Sequence, residues 1–100
     1  MNVYHDPNIP IEVSFNEVFM ISLASVPSTG YTWKAEYDST FVELLTSPKF
    51  VPNSLAMGSG GKELFEFVTK QSGNTQLKMK YQREWEMAPK EIKIFQVHIS

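Results

Sequence analysis

Apolar residues recur at every second position in several short segments of this chain, and this spacing constrains the fold more than any other feature. A period of two is typical of β-strands that bury one face, because successive side chains point to opposite sides of a sheet. No segment carries a sustained i, i+3, i+4 pattern of apolar residues, so we predict an all-β chain. The predicted strands lie within residues 11–13, 19–23, 33–35, 41–45, 65–67, 77–81 and 95–99.

Turn-forming residues separate these segments at short intervals, which favours two packed sheets. We therefore predict an Ig-like antiparallel β-sandwich of about seven strands, with a small closed barrel as the alternative. Trp33 lies in an early-middle strand and is expected to fill the centre of such a sandwich. We expect one domain over residues 9–100, preceded by a loosely ordered lead-in of residues 1–8.

The composition excludes several classes of function. A chain of 100 residues without cysteine must be stabilised by packing, and it has no disulfide, thiolate metal site or cysteine nucleophile. The formal charge is only -2 and the basic residues are scattered, which argues against a nucleic-acid partner. No apolar run approaches the length that spans a bilayer, and the start has no basic segment followed by an apolar run. We therefore expect no membrane partner and, by default, a cytoplasmic location.

The first of three unusual loops reads VPSTG, before Tyr31. Pro27 fixes its own φ, and Gly30 can adopt a positive φ that most residues avoid. Ser28 and Thr29 are left at the tip of this turn. Their hydroxyls either bond locally and stiffen the turn or point outward towards another molecule.

The second loop contains the sequence LAMGSGG, residues 55–61. A phosphate-binding loop would be followed by a helix, which is absent here, and Lys62 lacks the required spacing, so we reject a nucleotide site. The run is then either a flexible linker or a stretch whose main chain lies close against a partner. The apolar residues before it either enter the core or form a contact patch.

The third loop places Trp85 two residues after Arg83, beyond the end of a predicted strand. An exposed Trp beside an Arg is typical of an interface. The alternative is that Trp85 folds back over the edge of the sandwich. In an Ig-like strand order all three loops can lie at one end, as they do in antibody-type recognition.

These three loops resemble those of the chagasin-like inhibitors of papain-family cysteine peptidases. That family carries NPTTGY/F, GxGG and RPW/F motifs in successive loops of an Ig-like sandwich. The counterparts here, in the same order and spacing, are Val26–Tyr31, Gly58–Gly61 and Arg83–Trp85. The resemblance extends from about Ile9 to the C-terminus.

Three positions depart from the family motifs. Val26 replaces an Asn that can brace the first loop, Ser28 replaces a Thr, and Glu84 replaces a Pro that restricts the third loop.

The resemblance implies a reversible, tight-binding inhibitor that occludes the active-site cleft of a papain-family, cathepsin L-like cysteine protease. It implies that the first loop enters the cleft, that Trp85 packs on the primed side, and that the second loop follows the non-primed side with Met57 near the S2 pocket. The protease-binding residues that it implies are Pro27, Ser28, Thr29, Gly30, Tyr31, Met57, Gly58, Ser59, Gly60, Gly61, Arg83 and Trp85.

Two other classes of function compete with this hypothesis. An Ig-like carbohydrate- or peptide-binding module would use exposed aromatics such as Tyr31 and Trp85 as a platform. An enzyme is disfavoured because His5 and His98 have no evident acid or nucleophile partner in the sequence. We therefore expect no catalytic residues, no metal, no cofactor and a monomer in the free state.

Overall fold

The computed structural model describes residues 2–54 and 59–100, and within these ranges nine β-strands form two sheets. A single turn of 3-10 helix, Pro27–Thr29, lies between the third and fourth strands. The strands are β1 (Asn2–Tyr4), β2 (Ile11–Val13), β3 (Val18–Ser25), β4 (Tyr31–Tyr37), β5 (Val42–Leu44), β6 (Lys49–Pro52), β7 (Gly61–Thr69), β8 (Gly73–Arg83) and β9 (Glu91–Ile99).

The two sheets have the layered arrangement of a sandwich. One sheet has the order β1-β3-β7-β5, and β6 pairs with the same edge of β7 as β5 does. The other sheet has the order β2-β9-β8-β4. This architecture confirms the predicted all-β, Ig-like sandwich.

Two details differ from the predicted antiparallel arrangement of about seven strands. β1 runs parallel to β3, and β2 runs parallel to β9, so both sheets are mixed. The chain passes from one sheet to the other between β1 and β2, so its first segment covers an edge of each sheet. The strands missing from the prediction are β1 and β6, and neither contributes a fully buried residue that alternation could reveal.

The alternating positions form one hydrophobic core between the sheets, as the period of two predicts. Tyr81 and Ala35 are half-buried and pack against it. The fully buried members are Ile11, Val13, Phe19, Ile21, Leu23, Trp33, Val42, Phe65, Phe67, Leu77, Met79, Phe95, Val97 and Ile99.

Trp33 joins the two sheets near one end of the sandwich. Its indole N–H donates to the carbonyl of Ala24 on β3 at 2.9 Å, and its backbone N–H donates to the carboxylate of Glu63 on β7 at 3.2 Å. Glu63 is only 7% exposed, so this hydrogen bond satisfies a carboxylate that would otherwise be costly to bury. Trp33, Ala24 and Glu63 lie at the end of the sandwich from which the three predicted loops extend.

In the described part of the chain, no helix has the length and hydropathy that a bilayer-spanning segment requires.

Replacement of Phe67 by Ala tests the core. The Phe67 ring stacks on Phe19 at 5.6 Å between centroids and meets Tyr37 edge-on at 5.3 Å. We expect Phe67→Ala to lower the free energy of unfolding by about 3–5 kcal/mol, because it leaves a cavity between packed rings. Urea unfolding followed by Trp fluorescence measures this change. Phe15→Ala, at a side chain that is 55% exposed, is the matched control and should cost less than about 1 kcal/mol; equal losses would contradict the assigned core.

Candidate functional site

Three connections leave the same end of the sandwich because the strands that carry them are paired there. Ser25 at the end of β3 pairs with Gly61 at the start of β7. Tyr31 at the start of β4 pairs with Arg83 at the end of β8. The β3–β4, β6–β7 and β8–β9 connections therefore start from neighbouring points, and we call their described residues 26–31, 59–61 and 83–85 the three-loop edge.

The first loop is wound into a compact turn. The backbone N–H of Thr29 donates to the carbonyl of Val26 at 3.0 Å, and that of Gly30 donates to the carbonyl of Pro27 at 2.9 Å. Gly30 then takes a φ of 86°, which is the left-handed conformation expected of it. Pro27 at the first helical position supplies the φ that starts this turn.

The two hydroxyls of this loop have different environments. The Thr29 hydroxyl donates to the carbonyl of Val26 at 2.6 Å, so it stiffens the turn. Ser28 is exposed at the tip and makes no hydrogen bond within the described residues. Of the two predicted contact hydroxyls, Ser28 is therefore the one available to another molecule.

β8 holds the first loop from the side. The backbone N–H of Val26 donates to the hydroxyl of Tyr81 at 3.1 Å, and Nε of Arg83 donates to the carbonyl of Thr29 at 2.9 Å. These two bonds fix both ends of the turn. They brace the loop although Val26 lacks the side-chain amide of the family motif.

The second loop is described only in part. Met57 and Gly58, together with the apolar residues 55 and 56, lie outside the described residues. Gly60 is half-buried, and a Cβ atom there would lie 3.2 Å from the carbonyl oxygen of Ser25 and 3.2 Å from Cγ2 of Val26. The second loop therefore passes directly beside the start of the first.

Two further predicted residues of the second loop have internal contacts. Ser59 is half-buried, and its hydroxyl lies 3.2 Å from that of Ser54. Gly61 is buried at the start of β7, where a Cβ atom would clash with the carbonyl oxygen of Val51 on β6. A side chain at Gly61 is therefore excluded by the sheet itself.

The third loop presents Trp85 to solvent while one edge of its ring touches the first loop. The Trp85 side chain is 71% exposed, so it does not fold back over the sandwich. A Cβ atom at Gly30 would lie 2.7 Å from Cη2 of Trp85, so only glycine admits the ring at this distance. The predicted first and third loops are in direct contact.

Ion pairs hold the third loop where the family motif has a proline. The ammonium group of Lys34 lies 2.8 Å from the carboxylate of Glu84, and Nη1 of Arg83 lies 3.1 Å from the carboxylate of Glu86. The hydrogen bond from Lys34 lowers the pKa of the Glu84 carboxyl, so this pair persists into mildly acidic solution. Side-chain contacts here take the place of a fixed backbone φ.

Tyr31 lies inside a cluster of rings and cations. Its ring stacks on Tyr81 at 5.2 Å, and the guanidinium of Arg83 lies 4.3 Å from its centroid. The ammonium of Lys90 lies 4.9 Å from the same centroid. Tyr31 therefore supports Arg83 and the first loop, and its ring is not an open platform.

Several positioning residues escape sequence reasoning. The inward position of Glu63 could have been found, because it continues the alternation of Phe65 and Phe67. The hydrogen bond of the Tyr81 hydroxyl could not be predicted, because a Tyr at an alternating core position is interpreted as an apolar residue. The pairing of Lys34 with Glu84, fifty positions apart, has no signal in one sequence.

The described residues give no support to a catalytic or metal centre. His98 contacts Asn74 at 2.7 Å on a strand face, away from the three-loop edge. No group of three or more His, Asp or Glu residues that could hold a metal ion occurs in ranges 2–54 and 59–100.

The chain matches a family model and two curated proteins. The model of the chagasin family peptidase inhibitor I42 matches residues 12–99. Amoebiasin-2 from Entamoeba histolytica is 35% identical over 79 residues, which cover 76% of this chain and 63% of Amoebiasin-2. Chagasin from Trypanosoma cruzi is 31% identical over 80 residues, which cover 75% of this chain and 73% of chagasin.

Solved structures share the fold. The cysteine protease inhibitor EhICP2 from Entamoeba histolytica superposes with a TM-score of 0.82 at 24% identity, covering 99% of this chain and 94% of that one. Amebosin superposes with a TM-score of 0.63 at 23% identity, with coverages of 98% and 94%. PbICP-C, solved in complex with falcipain-2, superposes with a TM-score of 0.56 at 21% identity, with coverages of 100% and 95%.

The matched family region extends over nearly the whole sandwich and contains all three loops. The resemblance seen in the loop motifs is thereby confirmed over the length of the fold. This chain belongs to the chagasin family of peptidase inhibitors.

Proposed function

We propose that this protein is a reversible, tight-binding inhibitor of papain-family cysteine proteases of the cathepsin L type. Membership of an inhibitor family supports the proposal, and so does the fold shared with PbICP-C, which was solved in complex with falcipain-2. The observation that carries it is the contact between loops, in which the Trp85 ring lies against Gly30 while Gly60 lies against Val26. The described residues of the three motifs thus lie against one another along one edge, and we propose that this edge fills a cleft.

The first loop enters the catalytic cleft tip-first. Ser28 is the free hydroxyl at the tip, and it meets the thiolate and imidazolium of the enzyme, where a buried polar group needs a partner. Thr29 contributes through its carbonyl and hydroxyl, both of which are engaged inside the inhibitor. Its role is to hold Ser28 in position.

The hydrogen bonds of this loop disfavour its cleavage. Attack requires a peptide carbonyl placed at the nucleophile in the right geometry. Here the carbonyls of Val26, Pro27 and Thr29 already accept hydrogen bonds from within the inhibitor. The turn would have to unwind before one of these three peptide bonds could be presented in extended form, so we expect cleavage at them to be slow.

The other two loops extend the contact on either side of the first. Trp85 supplies a large apolar surface on the primed side, and the backbone of Ser59 and Gly60 continues along the non-primed side, as an added strand does. Protease–inhibitor complexes of this kind bury about 1,600 Å² in total. Because the first and third loops are braced before binding, their ordering costs little entropy on association.

The structure disfavours the alternative of a carbohydrate-binding platform. Such a platform needs aromatic faces open to a sugar ring, and Tyr31 is stacked on Tyr81 beneath Arg83 and Lys90. Of the two aromatics that this alternative would use, only Trp85 remains open, and one ring does not form a platform.

Replacement of Trp85 by Ala tests the proposal. We expect Trp85→Ala to raise the inhibition constant for papain and cathepsin L by about thirtyfold or more, because exposed aromatic residues are typical binding hot spots. Titration against a fluorogenic peptide substrate measures the constant. The melting temperature should hardly change, since the side chain is 71% exposed. Ile92→Ala, at an exposed apolar residue of β9, is the control and should leave the inhibition constant unchanged. The proposal is refuted if the unaltered protein inhibits neither papain nor cathepsin L.

Replacement of Gly30 by Ala tests whether the first and third loops act as one surface. The new Cβ would press on the Trp85 ring at a φ of 86°, so we expect inhibition to weaken about tenfold. In a Trp85→Ala background the steric conflict is absent, and the further loss should fall to about threefold. The test compares the inhibition constants of the unaltered protein, the two single variants and the double variant. Equal losses in both backgrounds would mean that the two loops contribute separately.

A further inference from the structure

The β8–β9 connection is longer than its known motif requires. It contains seven residues, Glu84 to Lys90, whereas hairpin loops usually contain about two to five. The Trp85 motif occupies only the first part. The remaining Met87, Ala88 and Pro89 have no role in the loop contacts described above.

Met87 has the highest exposure of the large apolar side chains among the described residues. It is 99% exposed and Trp85 is 71% exposed, whereas the next value, for Phe15, is 55%. A single exposed apolar residue is ordinary. The two highest values, however, occur two positions apart in one loop, so their Cα atoms lie within about 7 Å of each other.

Hydrogen bonds hold the loop on the N-terminal side of Met87. The backbone N–H of Glu86 donates to the carbonyl of Arg83 at 3.2 Å, and the carbonyl of Glu86 accepts from Nε2 of Gln82 at 2.6 Å. The carboxylate of Glu86 also pairs with Arg83. All polar groups of the preceding residue are therefore engaged.

The C-terminal side of Met87 is held as well. The backbone N–H of Lys90 donates to the carbonyl of Tyr81 at 2.8 Å. Pro89 fixes its own φ and biases Ala88 towards an extended conformation. Met87 is thus carried outward by a short segment that is restrained at both ends.

We propose that Met87 is a second apolar anchor, which packs against apolar surface of the protease beside the position taken by Trp85 and helps to determine which papain-family enzymes are bound. This inference rests on the proposed inhibitory function. A Met side chain is unbranched and adapts to irregular apolar surfaces, so it suits a contact region that differs between related enzymes. Restraint of the loop before binding limits the entropy lost in making the contact.

Inhibition constants for a panel of papain-family proteases test this proposal. We expect Met87→Ala to raise the constant about tenfold for at least one enzyme of the panel, by a factor that differs between enzymes. Met87→Leu keeps an apolar side chain and should stay within about threefold of the unaltered protein. Ile94→Ala, at a residue 42% exposed on β9, is the matched control and should change nothing. None of these variants should shift the melting temperature by more than about 2 °C.

Methyl NMR gives a second readout that does not depend on inhibition. With ¹³C-methyl methionine, the Met87 signal is assigned by its loss in Met87→Leu. Addition of papain with its catalytic thiol free should shift or broaden this signal, while buried Met79 gives an internal control that stays in place.

The outcomes separate this inference from the proposed function. If the unaltered protein inhibits and Trp85→Ala weakens it, but Met87→Ala matches the unaltered protein across the panel, Met87 is no anchor and the function stands. If the Met87 signal does not move when the inhibitor is saturated with papain, Met87 is likewise no anchor, and the inhibitory function stands. If the unaltered protein inhibits no enzyme of the panel, both proposals fall.

Discussion

The contact of Trp33 with both sheets is the constraint on which the rest of the molecule depends. One side chain and its own backbone N–H reach Ala24 on β3 and Glu63 on β7, so the strands that carry the loops cannot slide apart at this end. The Trp33 ring also packs on Tyr81 at 4.7 Å, and the hydroxyl of Tyr81 holds Val26. Core packing and loop position are therefore parts of one connected structure.

Arg83 connects the first and third loops at the surface, as Trp33 connects the two sheets in the core. It donates to the first loop, covers Tyr31 and pairs with Glu86 in its own loop. The planar guanidinium can make several such contacts because it has five donors in a fixed geometry. With the Lys34–Glu84 pair, it restrains the loops of a chain that lacks the Asn and the Pro of the family motifs.

Sequence reasoning predicts most of the fold because burial imposes a period of two on each long strand. It also predicts from a local rule that Gly30 can adopt the left-handed conformation, whereas it leaves the exposure of Trp85 open against folding back over the edge of the sandwich. It misses β1 and β6, whose residues are largely exposed and carry no alternation. It leaves the Thr29 hydroxyl open between a local bond and an outward direction, and the structure shows the local bond to Val26. It cannot find Glu63 as a partner of Trp33, because these residues are thirty positions apart and meet only in the complete fold.

Local bonds wind the first loop, but the two bonds that fix it against the sandwich come from far along the chain. Val26 and Tyr81 are separated by 55 positions, and Thr29 and Arg83 by 54. A synthetic peptide of residues 26–31 contains both partners of the local turn bonds but neither Tyr81 nor Arg83, so it lacks the braces that hold the turn in place. Recognition in this molecule thus depends on long-range topology, because both braces lie on β8 and reach the loop only where β8 pairs with β4.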